Sequence, residues 1–137
     1  MADLVQTVAN VNSYSGASTS LVQAGEAITP GVPCYKKASD SKYYQTDANL
    51  GAEESGAAGI ALSYAPAADD YFVLQTAGDI DLGGTLTVGE TYYVSATKGK
   101  IAPAADVAAG WFPVVLGIAS TAAKMTMGIQ KGTVAHA

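Results

Sequence analysis

A single histidine and a single cysteine limit the chemistry this chain can do. His136 is the penultimate residue, so it could act as a general base or metal ligand only if the end of the chain folded back. One imidazole also makes neither an HExxH helix nor a paired-histidine metal site. Cys34 stands alone, which excludes an internal disulfide and a cysteine metal cluster. As a nucleophile it would need His136 or a local positive field to form thiolate, and a half-buried structural thiol is the expectation. The acids come in pairs: Glu53 with Glu54, Asp69 with Asp70, and Asp79 with Asp81. Only Asp79 and Asp81 alternate, so on a strand they would share one face, where Ca²⁺ would need further oxygen ligands. Solvated charge on an exposed edge is the plainer reading. Glycine-rich stretches such as Gly83-Gly84 fit neither a Walker loop nor a dinucleotide fingerprint. No catalytic residue, metal site or cofactor is therefore expected.

Aromatics are the remaining candidates. Eight tyrosines and Trp111 could build a sugar-binding platform or a protein contact surface, the second being the commoner use. Which of them are free to do so depends on the elements that carry them.

Those elements repeat. Residues 21–63 lie on residues 79–121 at a constant offset of 58, without a gap. Gly25 falls on Gly83, Thr29 on Thr87, Gly31 on Gly89, Tyr35 on Tyr93, Ala38 on Ala96 and Lys42 on Lys100. The triplet Gly59, Ile60, Ala61 falls on Gly117, Ile118, Ala119. Two copies of one β unit, about 21–78 and 79–132, sharing one core within a single domain 21–137, are the expectation; the period is too long for most solenoids. Tyr35 and Tyr93 coincide and read as strand-packing residues, whereas Tyr43, Tyr44, Tyr64 and Trp111 do not.

Composition agrees with one domain of ordinary size, large enough to bury a core without staples. Hydrophobic residues are 49% and charged ones 14%, so the exterior must be covered mostly by small and uncharged side chains. Burial of part of that exterior against other copies or a partner would explain it; so would a simple bias toward alanine. The net charge of −5 argues against nucleic acid as a partner, since phosphate binding needs a clustered positive field. No membrane partner is expected either, because the most apolar stretch, Trp111 to Ala119, is broken by Pro113 and Gly117. The start MADLVQTVANV has no basic and apolar signal regions, and synthesis in a reducing cytoplasm is the easiest fit.

Glycine, proline, Asn and Asp punctuate the chain too often for long helices, and alanine is interleaved with Val, Thr and Tyr. The fold class expected is all-β, a compact β-barrel or β-tulip-like domain with an N-terminal arm. Strands are expected at 21–24, 33–38, 42–46, 58–64, 71–76, 91–96, 100–103, 113–121 and 124–130. Lys98-Gly99 and Asp40-Ser41 mark a hairpin at the same point of each unit. Residues 1–20 fall outside the repeat and end in the low-complexity run SYSGASTS, read as a flexible link. Ahead of it, Leu4, Val5, Val8, Val11 and Tyr14 make either an arm that docks on a neighbour or an ordinary first strand. Residues 102–109 read as one helical turn, and the tail KGTVAHA as frayed.

The run TVGETYYVSATKGKIAP followed by VVLGIASTAAKMTMGI resembles tailed-phage capsid decoration proteins, also called cement proteins. The first half, GEAITPGVPCYKKAS with GAAGIALSYA, is similar to the opening of the same pattern. The resemblance implies a β-rich domain, usually a homotrimer, that binds the major capsid protein on the outer surface of the expanded head. It implies a virion location and no catalytic residues. Under it, Leu4, Val5, Val8, Val11 and Tyr14, and the loop residues Trp111 and Phe112, are the expected capsid or subunit contacts. The alternative is a fibre or receptor-facing β module whose tyrosines and Trp111 bind glycans.

Overall fold

The computed structural model describes residues 3–14, 16–132 and 134–136. Among them, ten strands carry the fold: β1 Val11–Ser13, β2 Ser18–Gln23, β3 Pro33–Lys36, β4 Tyr43–Gln45, β5 Gly59–Ala61, β6 Tyr71–Leu82, β7 Thr91–Val94, β8 Ile101–Pro103, β9 Val115–Ala119 and β10 Lys124–Gln130. The chain is all-β, with short helical turns at Val8–Asn10 and Ala104–Asp106 and a four-residue helix α1, Ala52–Ser55.

The strands pair antiparallel in the order β4-β3-β5-β6-β10-β9-β7-β8, and the sheet curls into a half-barrel. β6 is the spine. Its first part pairs with β2 and β5, its second with β1 and β10. Where it passes from one set to the other, the register against β2 shifts between Ser18 and Thr19 and Gly78 takes a φ of +94°. Such a bulge bends a strand and re-aims its side chains, which lets one continuous element serve two differently oriented groups of strands.

Backbone hydrogen bonds recur at the offset of 58. Gly31 N–H donates to the Ala61 carbonyl at 2.8 Å and Gly89 N–H to Ala119 at 2.8 Å; Ala61 N–H donates to Val32 and Ala119 N–H to Glu90, at 2.9 and 3.0 Å. Lys37 N–H donates to Lys42 and Ser95 N–H to Lys100 across the two hairpins. β3 pairs with β4 and β5 as β7 pairs with β8 and β9. The repeated Gly-Ile-Ala has a steric cause. A Cβ on Gly59 would stand 2.4 Å from the Gln75 carbonyl oxygen and one on Gly117 2.3 Å from that of Thr126, so no other residue lets the neighbouring strand approach.

The offset of 58 does not hold everywhere. Gly25 N–H donates to the Tyr43 carbonyl at 2.8 Å, drawing the chain after β2 onto β4. Fifty-eight residues on stand Gly83 and Ile101, and those two are held apart. The Ile101 carbonyl accepts from Leu4 N–H at 2.8 Å and the Gly83 carbonyl from Thr7 N–H at 2.6 Å, so residues 4–7 lie between them.

Two apolar clusters fill the interior. The larger joins Ile80, Leu82, Tyr92, Val94, Ile101, Val114, Leu116 and Met125 with Ala48, Ala57 and Ile60 of the first half. The smaller, around Ile28, Cys34, Phe72 and Leu74, belongs to the first half alone. The larger cluster thus joins side chains from residues 21–78 and from residues 79–132.

Several boundaries depart from the sequence expectations. β6 continues six residues beyond the expected 71–76, carried through Ala77 and Gly78 by its bulge. SYSGASTS is not all link, since Ser18 to Ser20 open β2. Of the arm or ordinary first strand expected ahead of SYSGASTS, a short strand β1 forms where Val11 to Ser13 meets β6. α1 fits its local sequence, with Glu53 and Glu54 in the first turn where the helix dipole favours acids, and Ser55 Oγ donating to the Gly51 carbonyl at 2.7 Å. The tail, of which residues 133 and 137 lie outside those described, is tied at His136, whose N–H donates to Trp111 O and whose carbonyl accepts from Gly110.

Candidate functional surface

The N-terminal residues lie along their own domain. Ser95 Oγ donates to the Asp3 carboxylate at 2.6 Å, and Gln6 Nε2 donates to the Gly31 and Leu82 carbonyls at 3.1 and 2.9 Å. Leu4 packs on the larger core cluster. Its neighbour Val5 points the other way and is 83% exposed, as alternation in extended chain requires. Val8 and Val11 are half-buried, and Tyr14 lies under the Lys124 ammonium at 5.4 Å from its ring centre.

A cleft of about 1140 Å³ runs beside this segment, bordered by Leu4, Val5 and Val11 and by residues of the turn that follows β6. Its acids are Asp3, Asp81 and Glu90. Each is engaged in the fold: Asp3 accepts from Ser95 Oγ, Asp81 from Gly83 N–H at 2.8 Å and Glu90 from Ala104 N–H at 3.1 Å. Among the described residues, no group of three or more His, Cys, Asp or Glu is placed to hold a metal ion. Asp79 accepts from Thr126 Oγ1 at 2.8 Å and pairs with Lys124 at 3.5 Å.

Trp111 and Phe112 are not part of this region. They lie in the loop before β9, both half-buried; Trp111 packs on the larger core cluster, and Phe112 N–H donates to the Ala48 carbonyl at 2.7 Å. Their offset counterparts, Glu53 and Glu54, stand on α1 at the surface.

Cys34 is fully buried in β3, rather than half-buried, and its Sγ donates to the Val32 carbonyl at 3.4 Å. Burial, and secondarily the charge of Glu26, push its thiol far above the usual range, which suppresses the reactive thiolate. At the tip of the first hairpin, Tyr44 Oη donates to Asp40 at 2.6 Å. That bond pushes the phenol up to about 12 and holds the Asp40 carboxyl below its ordinary value. Asp69 pairs with Lys42 and raises its pKa.

Sequence reasoning missed one feature. Leu21 on β2 stands opposite Val73 on β6, and Leu62 N–H donates to the Val73 carbonyl from the other side. The three form a cross-strand apolar row with Leu21 70% exposed, beside Tyr71. The signal was present in the repeat: Leu21 aligns with Asp79, a hydrophobe where the other half has a charge.

No protein-family model matches the chain, and a search of curated proteins found no match.

Proposed function

We propose that this chain is a capsid decoration protein, built from two copies of one β unit, that binds the major capsid protein on the outer surface of an expanded phage head. The observation that carries the reading is the apolar exterior of a chain with few charges. Val5, Leu21, Tyr64, Tyr71, Val88 and Ile118 are each more than half exposed, and such side chains in number favour burial against a protein surface. The strands carrying the family resemblance, β7 to β10, form one contiguous part of the sheet. The domain that results offers a rigid body with Val5 and the neighbouring cleft as the first contact.

Binding of this kind stabilises by mass action. A subunit that binds only the expanded lattice favours it by about 2.7 kcal/mol per site at roughly a hundredfold excess over Kd. Association as a trimer would raise the effective concentration of each further contact. A second reading, a fibre module that binds glycans, draws on Tyr64 and Tyr71, which are exposed at positions flanking the turn into β6. Counting copies of this chain against major capsid protein in the genome-filled band of a density gradient separates the two. A fixed ratio near one per capsid subunit, or a simple fraction of it, supports decoration. A handful of copies or none overturns it, and tryptophan fluorescence on sugar addition then tests the glycan reading.

A further inference from the structure

From Asp3 to Tyr14 no residue is fully buried. Leu4 is the segment's anchor in the larger core cluster, and Leu4, Val8 and Val11 are each only half-buried. Most of the remaining attachment is hydrogen bonding. Leu4 N–H donates to the Ile101 carbonyl, Thr7 N–H to Gly83 and Tyr14 N–H to Asp79, at 2.8, 2.6 and 3.2 Å, and Val11–Ser13 pairs with Ile80 to Leu82 of β6. Asp3 and Gln6 add side-chain bonds to Ser95, Gly31 and Leu82. Chain with few buried apolar contacts and partly exposed hydrogen bonds sits at the low end of local stability.

What the segment touches is held without it. The end of β6 pairs on its other side with β10, Asp79 opposite Thr126 and Asp81 opposite Lys124. Ile101 lies in β8, which pairs with β7. Gly31 N–H donates to the Ala61 carbonyl and Ser95 N–H to Lys100. The turn beneath residues 5–7 is set by its own bonds, Gly83 N–H to the Asp81 carboxylate at 2.8 Å and Leu86 N–H to the Ala122 carbonyl at 2.7 Å. That turn is also shaped to receive backbone. A Cβ on Gly84 would stand 2.3 Å from the Val5 carbonyl oxygen, and one on Gly83 2.3 Å from that of Thr7. The Gly83-Gly84 pair, which fits no nucleotide motif, is the seat of this segment.

We infer that residues 3–14 are a clasp, which opens and closes as one unit on a domain that stays folded. Gly16, at a φ of +87° with open space where a side chain would stand, lies between the clasp and β2. β2 keeps its own pairing with β6, from Tyr71 to Ala77, so opening stops there. The open state bares together the Ile101 and Gly83 carbonyls, the Asp79 to Leu82 edge of β6 and the Gly83-Gly84 seat. The clasp thus governs access to that strip of backbone. It is a property of the free chain and does not rest on the decoration reading.

The test is amide hydrogen exchange on the full chain across a series of low denaturant concentrations. Leu4, Thr7 and Tyr14 should share one protection factor and a shallower denaturant dependence than Ala61 and Val94, whose N–H groups bond to Val32 and Val114 inside the domain. Two variants separate clasp opening from global unfolding. Gly59→Ala strains β5 against β6, away from the clasp; it should lower protection at Ala61 and Val94 and leave the three clasp amides at their wild-type values. Gly84→Ala strains the seat and should lower protection at all three clasp amides by one common factor. Equal denaturant dependence of clasp and core amides in the wild type overturns the inference. So does a loss at the clasp amides in Gly59→Ala that matches the loss at Ala61 and Val94, or a response to Gly84→Ala that differs among the three.

Discussion

Tyr44 and Asp40 show how one local bond sets the chemistry of two residues. Asp40 is exposed and Tyr44 half-buried, and the phenol is pushed up to about 12 first because its hydroxyl donates to the carboxylate and then by burial. Asp40 is held below its ordinary value first by the same bond and then by Lys42 N–H. The signs fix the window. Asp40 has the lower pKa folded, so its contribution is present above the unfolded carboxylate value and lost as pH falls through the folded one. Tyr44 has the higher pKa folded, so its contribution is present below 10.0 and lost as pH rises through about 12. Asp40→Ala should bring one tyrosine back toward 10.0, read as a change in the ultraviolet titration of the phenols. An unchanged alkaline titration would show that the hydroxyl has another partner. None of this was legible in the sequence, because the pairing depends on how the Lys37 to Lys42 hairpin places residues four apart.

At the scale of elements, turn and strand signals carried most of the information. The Gly99 hairpin and β10 fall where glycine spacing and apolar runs place them, and Gly99 has a φ of +74°, as its turn requires. What the sequence left open depends on distant chain. Residues 11–13 make a first strand rather than a free arm because β6 continues past the register shift at Thr76, through Gly78 at a φ of +94°, far enough to pair with them. Of the candidate site, the exposure of Val5 was within reach of alternation, but the half-burial of Trp111 and Phe112 was not, since the core that receives Trp111 comes from other elements. The glycines of the repeated triplet allow a direct test. Gly59→Ala and Gly117→Ala each force a Cβ against backbone oxygen of the adjacent strand, and each should cost about 1–3 kcal/mol, the usual penalty of overpacking. Gly128, on β10, has nothing within 4 Å of the same added atom, and Gly128→Ala should be neutral or slightly stabilising, since glycine in a strand costs about 0.5–1 kcal/mol relative to alanine. Denaturant midpoints decide; equal losses at all three positions would mean that flexibility rather than contact is what glycine supplies.

For the molecule as a whole, the N-terminal segment joins stability to the proposed binding. Residues 4–7 fill the seam between Gly83 and Ile101, and Leu4 enters the core, so the segment is part of the domain it borders. Deleting residues 1–14 therefore removes β1 and leaves the Ile101 and Gly83 carbonyls without their donors. Each lost hydrogen bond is worth about 0.5–1.5 kcal/mol net, and with the packing of Leu4 also lost the deletion should lower the unfolding midpoint as well as any attachment to heads. Binding and folding separate at single residues. Leu4→Ala should destabilise by about 1–3 kcal/mol, less than a fully buried leucine because Leu4 is half-buried. Val5→Ser, at a side chain almost wholly in solvent, should leave the midpoint within about 0.5 kcal/mol yet reduce occupancy on expanded heads. If Val5→Ser binds heads as the wild type does, the contact lies elsewhere on the exterior, and the row from Leu62 to Leu21 is the surface to substitute next.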